Sequence, residues 1–122
     1  MATIQNLQLE VNRNNNGTAN IDVVGNVTLA PGDGDVTCNC AIFGDDPIFD
    51  DFLFRFDSLL LGNDFGTSFR FNIDKTLAEL NEDRIGKDEI YAEIVISKPL
   101  SVSGPGVVVL TRRKSLTKEV PS

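Results

Sequence analysis

Cys38 and Cys40, in the stretch Asp35-Val36-Thr37-Cys38-Asn39-Cys40-Ala41-Ile42-Phe43, are the only two cysteines in the chain. A closely spaced cysteine pair can bind a soft metal or enter thiol–disulfide exchange. A structural zinc site wants four ligands, and this chain has no histidine and no third cysteine. Adjacent same-face residues on a strand lie ~6.5–7 Å apart, beyond the usual Cα spacing of a disulfide. Both cysteines share the parity of Val36 and Ile42. The pattern predicts reduced, inward-facing members of a core wall.

The second group with chemical capacity is acidic. Carboxylates and amides collect in segments of turn composition: Asn14 to Asn16, then Asp45, Asp46, Asp50 and Asp51, then Asn81, Glu82, Asp83, Asp88 and Glu89. In a sandwich whose successive turns alternate between its ends, these three segments share one pole. Calcium takes six to eight hard oxygens, often from several loops. Asp45, Asp46, Asp50, Asp51, Asn81, Asp83 and Asp88 are therefore the candidate calcium ligands. The spacing is not that of an EF-hand, because "NEDRIGKDE" lacks the acid twelve positions from its start. The competing reading of the same residues is a set of solvated turns in an acidic protein, with no cofactor.

Other chemistry is missing. The absence of histidine removes the commonest general base and nucleophile activator. No Gly-rich phosphate loop joins a strand to a helix. Scattered carboxylates on a chain this small offer no enclosed sugar cleft. The expectation is a protein that is not an enzyme. With 18 acidic and 11 basic residues the net charge is −7, which disfavours nucleic acid and anionic membranes. The opening "MATIQNLQLE" has neither a basic region nor a long apolar run, so no signal peptide is expected. No segment has the ~20 apolar residues of a membrane-spanning helix. These readings predict a cytoplasmic or non-classically released protein, in which the sequons at Asn16 and Asn26 carry no meaning.

What positions these residues is a chain of alternating polarity. Leu7, Leu9 and Val11 share a parity; so do Ile21, Val23, Val27 and Leu29; Val36, Cys38, Cys40 and Ile42; Phe52, Phe54 and Phe56; Phe69, Phe71 and Ile73; and Ile90, Ala92, Ile94 and Ile96. Val107 to Leu110 is apolar on both parities. Period two marks half-buried strands. Segments rich in Gly, Asn, Asp and Pro separate them. Only "DKTLAELNED" can hold a helical turn. A length of 122 residues fits one domain. Residues 1–110 form the predicted sandwich, and 111–122 a basic C-terminal tail with four of the eleven basic residues.

The pattern resembles immunoglobulin-like sandwiches in architecture, and "DEIYAEIVI" is similar to the aspartate-then-tyrosine approach to a strand in that group. The chain departs from it in lacking tryptophan, in turning Tyr91 outward and in having no cysteine in that strand. Jelly-roll-like and C2-like sandwiches fit the same periodicity. The expected fold is all-β: a single antiparallel β-sandwich of about seven strands, immunoglobulin-like or of a related Greek-key topology.

Grouping the first, second, fourth and fifth strands in one sheet gives it a water-facing surface of Gln8, Glu10, Asp22, Asn26, Arg55, Asp57, Arg70, Asn72 and Asp74. The third, sixth and seventh strands then present Phe43, Tyr91 and Val95 outward, with Val108 and Leu110 from the two-sided run. A sheet face this apolar is usually covered. The expected function is a non-catalytic structural or interaction module that self-associates or docks into a larger assembly through that face, as a homo-oligomer or with a protein partner. The alternative is a calcium-dependent ligand-binding module, lectin-like or C2-like, using the acidic pole. The basic tail is either an arm for an acidic neighbour or a frayed end.

Overall fold

A computed structural model describes residues 2–45, 51–62, 66–80, 89–99 and 106–120, with the backbone alone at Asp51. These residues form strands β1 (Thr3–Arg13), β2 (Thr18–Thr28), β3 (Val36–Gly44), β4 (Asp51–Arg55), β5 (Leu59–Leu61) and β6 (Ser68–Thr76). A helical turn α1 (Leu77–Leu80) and strands β7 (Glu89–Pro99), β8 (Val107–Lys114) and β9 (Lys118–Glu119) follow. One sheet has the order β1-β2-β6. The other runs β4-β3-β7-β8, with β5 also on β3 and β9 also on β7. Every pairing is antiparallel. The fold is an all-β sandwich, as the alternation predicts.

The core lies between the two inner faces. Ile21, Val23 and Val27 of β2 meet Cys38, Cys40 and Ile42 of β3 and Ile90, Ala92, Ile94 and Ile96 of β7 in one buried cluster. Fully burying an aliphatic side chain of this size contributes roughly 1.5–3 kcal/mol. At the edge of the sandwich, the Arg113 guanidinium of β8 donates to the Ile4 carbonyl of β1 at 2.8 Å, and so ties the two sheets together. Thr76 caps α1: its hydroxyl oxygen accepts from the Glu79 amide at 3.2 Å and its hydroxyl donates to the Glu79 carboxylate at 2.9 Å. The Glu79 carboxylate also accepts from the Thr76 backbone amide, which completes the reciprocal capping pattern that a Thr-x-x-Glu spacing provides.

In β1 the inward parity changes along the strand. Ile4 is buried, as is Leu9, although the two are five positions apart. The pairing with β2 slips between Gln5 and Gln8, and Asn6 adopts a φ of 54°. Asparagine tolerates this left-handed conformation better than most residues. The extra residue of the bulge returns the apolar set to the core. Opposite the bulge, the inward position of β2 is Gly25, which pairs with Phe69 of β6. A Cβ built on Gly25 would lie 2.5 Å from the Phe69 ring. The glycine is the seat of that ring.

Two boundaries differ from expectation. The Phe52–Phe56 strand, grouped above with the first sheet, is β4 and pairs with β3 in the second. Only residues 45–50 separate β3 from β4, and a connection this short favours pairing with the preceding strand. The boundary drawn at residue 110 falls inside β8. Thr111 to Lys114 continue its pairing with β7, and Lys118 and Glu119 form β9. Val120 is buried in the core cluster, so apolar burial holds down a segment whose charge suggested a tail.

Candidate interaction face

The outer face of the larger sheet is built from rows of cross-strand neighbours. The first row is Leu60, Thr37, Ser97 and Val109. The second holds Asn39, Val95 and Arg112, with the Ser58 hydroxyl donating to the Asn39 side-chain oxygen. The third is Arg55, Ala41, Glu93 and Lys114. The fourth is Phe52, Phe43 and Tyr91.

The fourth row is a line of rings with cations alongside. Phe43 stacks on Tyr91 at 5.5 Å between centroids, and Phe52 meets Phe43 edge-on at 5.8 Å. Lys114 Nζ lies 5.1 Å from the Tyr91 ring centroid, and the Arg55 guanidinium carbon lies 5.9 Å from that of Phe52. Tyr91 is outward in register yet buried, at 6% exposure, whereas Phe52 is 53% exposed. The exposed aromatic is therefore Phe52. A register shift between Ile42 and Phe43 separates its face from that of Phe54, which pairs with Ile42.

A similar irregularity decides β8. Its pairing with β7 shifts between Ile96 and Ser97. Val107 and Val109 then oppose Pro99 and Ser97, on the outer face, at 65% and 46% exposure. Val108 and Leu110, the pair expected outward, are half-buried, and Leu110 packs on the core cluster. Phe43 and Val95 are half-buried on the outer face. Leu60 at 57% exposure completes the apolar set. Alternation within the Leu59-Leu60-Leu61 run was the available signal for it, but three leucines in a row conceal it.

The middle of the face is a shallow depression of about 260 Å³ lined by Asn39, Ala41, Phe43, Arg55, Glu93 and Val95. Ala41 makes it: a short side chain between Arg55 on one neighbouring strand and Glu93 on the other. Glu93 is largely covered and lies 4.0 Å from Arg112. Arg55 makes no ion pair among the described residues.

The opposite outer face, on the β1-β2-β6 sheet, differs in kind. Arg70 donates to the Asp22 carboxylate at 2.8 Å, and Asn72 donates to it at 3.1 Å. Asn20 links Asn72 and Asp74, and Asn6 links Asn26. Burial alone would raise the Asp22 carboxyl, but the hydrogen bonds from Arg70 and Asn72 and the charge of Arg70 outweigh it and hold Asp22 below the ordinary carboxylate range.

The two cysteines are free and fully buried. Burial pushes the Cys38 thiol up to about 12, and it pushes Cys40 up as well, with Cys38 beside it adding to the rise. Of the candidate calcium ligands, Asp45 is exposed and its backbone amide donates to the Glu89 carbonyl at 2.8 Å. Asp51 opens β4. Asp46, Asp50, Asn81, Asp83 and Asp88 lie outside the described residues. Among the described residues no three Asp, Glu or Cys side chains group as metal ligands, and no helix is long and apolar enough to cross a membrane.

No family model and no curated protein matches the chain. Among solved structures it is similar to a β-glucosidase from Kluyveromyces marxianus, at 14% identity and a TM-score of 0.43, over 99% of this chain and 15% of that one. It is also similar to β-glucosidase 3B from Thermotoga neapolitana, at 13% identity and a TM-score of 0.41, over 94% of this chain and 16% of that one. The chain thus spans less than a fifth of the length of either enzyme.

Proposed function

We propose that this protein is a non-catalytic interaction module that docks a protein partner, or a copy of itself, through the outer face of the β4-β3-β7-β8 sheet. One observation carries the reading. Phe52, Leu60, Val107 and Val109, four large apolar residues at 46% exposure or more, all project from this one face. The other outer face is laced with polar hydrogen bonds. Scattered exposed apolar residues need no explanation; a set gathered on one face marks a contact surface.

The test is sedimentation velocity over a hundredfold range of concentration, with a parallel cross-linking capture from cell extract. The wild type is compared with the Phe52→Ser/Val109→Ser variant, and each run is repeated with a chelator. Association or capture lost in the variant and unchanged by chelator is the expected result. Identical behaviour of the two proteins would defeat the reading. Dependence on calcium would move the function to the acidic turns.

A further inference from the structure

We infer that the occupant of this face is an acidic polypeptide segment with an apolar residue at each end of a short extended run, an inference that rests on the reading above. On a chain of net charge −7, the third and second rows present Arg55, Arg112 and Lys114 against the carboxylate of Glu93, with exposed Asp57 beside Arg55 at the margin of the face. Glu93 is largely covered and engaged by Arg112. The centre of the face is therefore locally basic on an acidic body. Laid against itself in a two-fold pair, it would set these cations near their own copies, which disfavours a symmetric dimer through this face.

Size gives the same answer. Four strands ~4.8 Å apart and, counting the Val107 row, four same-face steps of ~6.5–7 Å make a footprint on the order of 500 Å². A standard protein–protein contact needs ~800 Å² from each partner. The face is small for a stable dimer and suits a segment. Its anchors stand toward the two ends: Leu60 and Val109 in the first row with Val107 one step beyond them, and Phe52 in the fourth. Three such steps separate these rows, roughly 20 Å, which about six or seven extended residues span. Between the anchors lies the depression over Ala41, with Arg55 at its wall.

The occupant's acids belong between the anchors and not beyond Phe52. Past the aromatic row stand exposed Asp45 and Glu89, which repel an anion that continues in that direction. A long polyanion such as a sulfated glycan or a nucleic acid has no apolar side chains for the anchors and meets that repulsion.

The probe is a display library of random nine-residue peptides, selected at low salt on wild type, on Arg55→Glu/Arg112→Glu and on Phe52→Ser/Val109→Ser. Thermal melts of all three proteins check that they fold. The wild type is expected to enrich peptides with two or more Asp or Glu flanked by apolar residues. Their affinity is expected to fall at least tenfold on either variant and with added salt. Enrichment of neutral or basic peptides that still depend on Phe52 and Val109 overturns this inference and leaves the docking reading standing. Retention on heparin that matches or exceeds peptide binding, and is lost in the arginine variant, also overturns it. No enrichment above the Phe52→Ser/Val109→Ser variant overturns it too, and together with a monomeric wild type it removes the docking reading as well.

Discussion

Phe43 and Tyr91 face each other across β3 and β7 with their rings stacked, 5.5 Å between centroids and 14° between planes. The stack sits on the outer face, yet it buries the tyrosine. A ring in that position serves the sheet before it serves a partner. Cross-strand aromatic pairs contribute about 0.5–1.5 kcal/mol beyond the area they cover.

Tyr91→Ala should therefore destabilise the fold by roughly 3–5 kcal/mol, in the range of buried aromatic truncations. Phe52→Ser, at an exposed position, should cost under about 1 kcal/mol. Urea unfolding of the two variants beside the wild type decides the matter. Equal and small costs would return Tyr91 to the role of partner anchor that its outward register suggested.

The thiols of Cys38 and Cys40 are held protonated by burial, Cys38 at about 12 against an ordinary 9.0. Between those values the unfolded chain has lost the Cys38 proton and the native chain has kept it. Stability is thus complete below pH 9 and falls as pH rises toward 12, by up to about 1.4 kcal/mol per pH unit for each such group. A Cys38→Ala/Cys40→Ala variant should start ~1–3 kcal/mol less stable and show a flatter alkaline limb. Native protein should resist a thiol reagent at pH 8 and label only on unfolding. Rapid native labelling would contradict the core-wall assignment.

Asp22 supplies the opposite limb. Its carboxyl is held low in the folded state by Arg70 and Asn72 against the upward pull of burial. The contribution is complete above the ordinary value of 3.8 and is lost as pH falls through the lower folded value. Asp22→Asn should lower stability at pH 7 and flatten the acid limb below pH 4. Parallel acid limbs in wild type and variant would show that other carboxylates carry the effect.

How far the sequence reveals this molecule depends on where alternation holds. β2, β3 and β7 keep one parity from end to end, and their inward residues are those the pattern names. Alternation breaks where one residue is added. The bulge at Asn6 in β1 separates Ile4 from Leu9, and the slip beside Phe43 separates Phe52 from Phe54. Nothing in the local pattern states which residue is extra. That choice is made by the partner strand. The run Val107 to Leu110 gives no parity at all, so the exposed pair, Val107 and Val109, emerges only from pairing with β7. The candidate face was legible as an apolar sheet surface, but all four of its exposed anchors sit beside such an irregularity, in a run without parity or in a short strand without alternation.

Gly25 tests the first bulge. Its inward Cβ would stand 2.5 Å from the Phe69 ring and 3.2 Å from the Gln5 carbonyl oxygen. Gly25→Ala should cost about 1–3 kcal/mol through overpacking, although alanine is ordinarily no worse than glycine in a strand. Phe69→Leu in the same background should recover part of that loss, a coupling that a double-mutant cycle reads directly. Additive effects would mean that the ring moves aside without cost.

The C-terminal segment separates burial from charge. Its four basic residues suggested an arm or a frayed end, but Lys118 and Glu119 pair with β7 and Val120 is 2% exposed. Ending the chain at Leu116 removes those pairings and uncovers the part of the core that Val120 closes. Losing one buried aliphatic side chain and a short ladder should lower stability by about 2–4 kcal/mol, a drop of several degrees in the melting temperature for a domain of this size. Leu116→Ser is the control: at 85% exposure its loss should move stability by less than about 0.5 kcal/mol. Val120→Ser in the full chain isolates the packing share of the truncation. A truncated protein that melts with the wild type would make the last residues an appendage after all, and would leave the charge on them free for a partner.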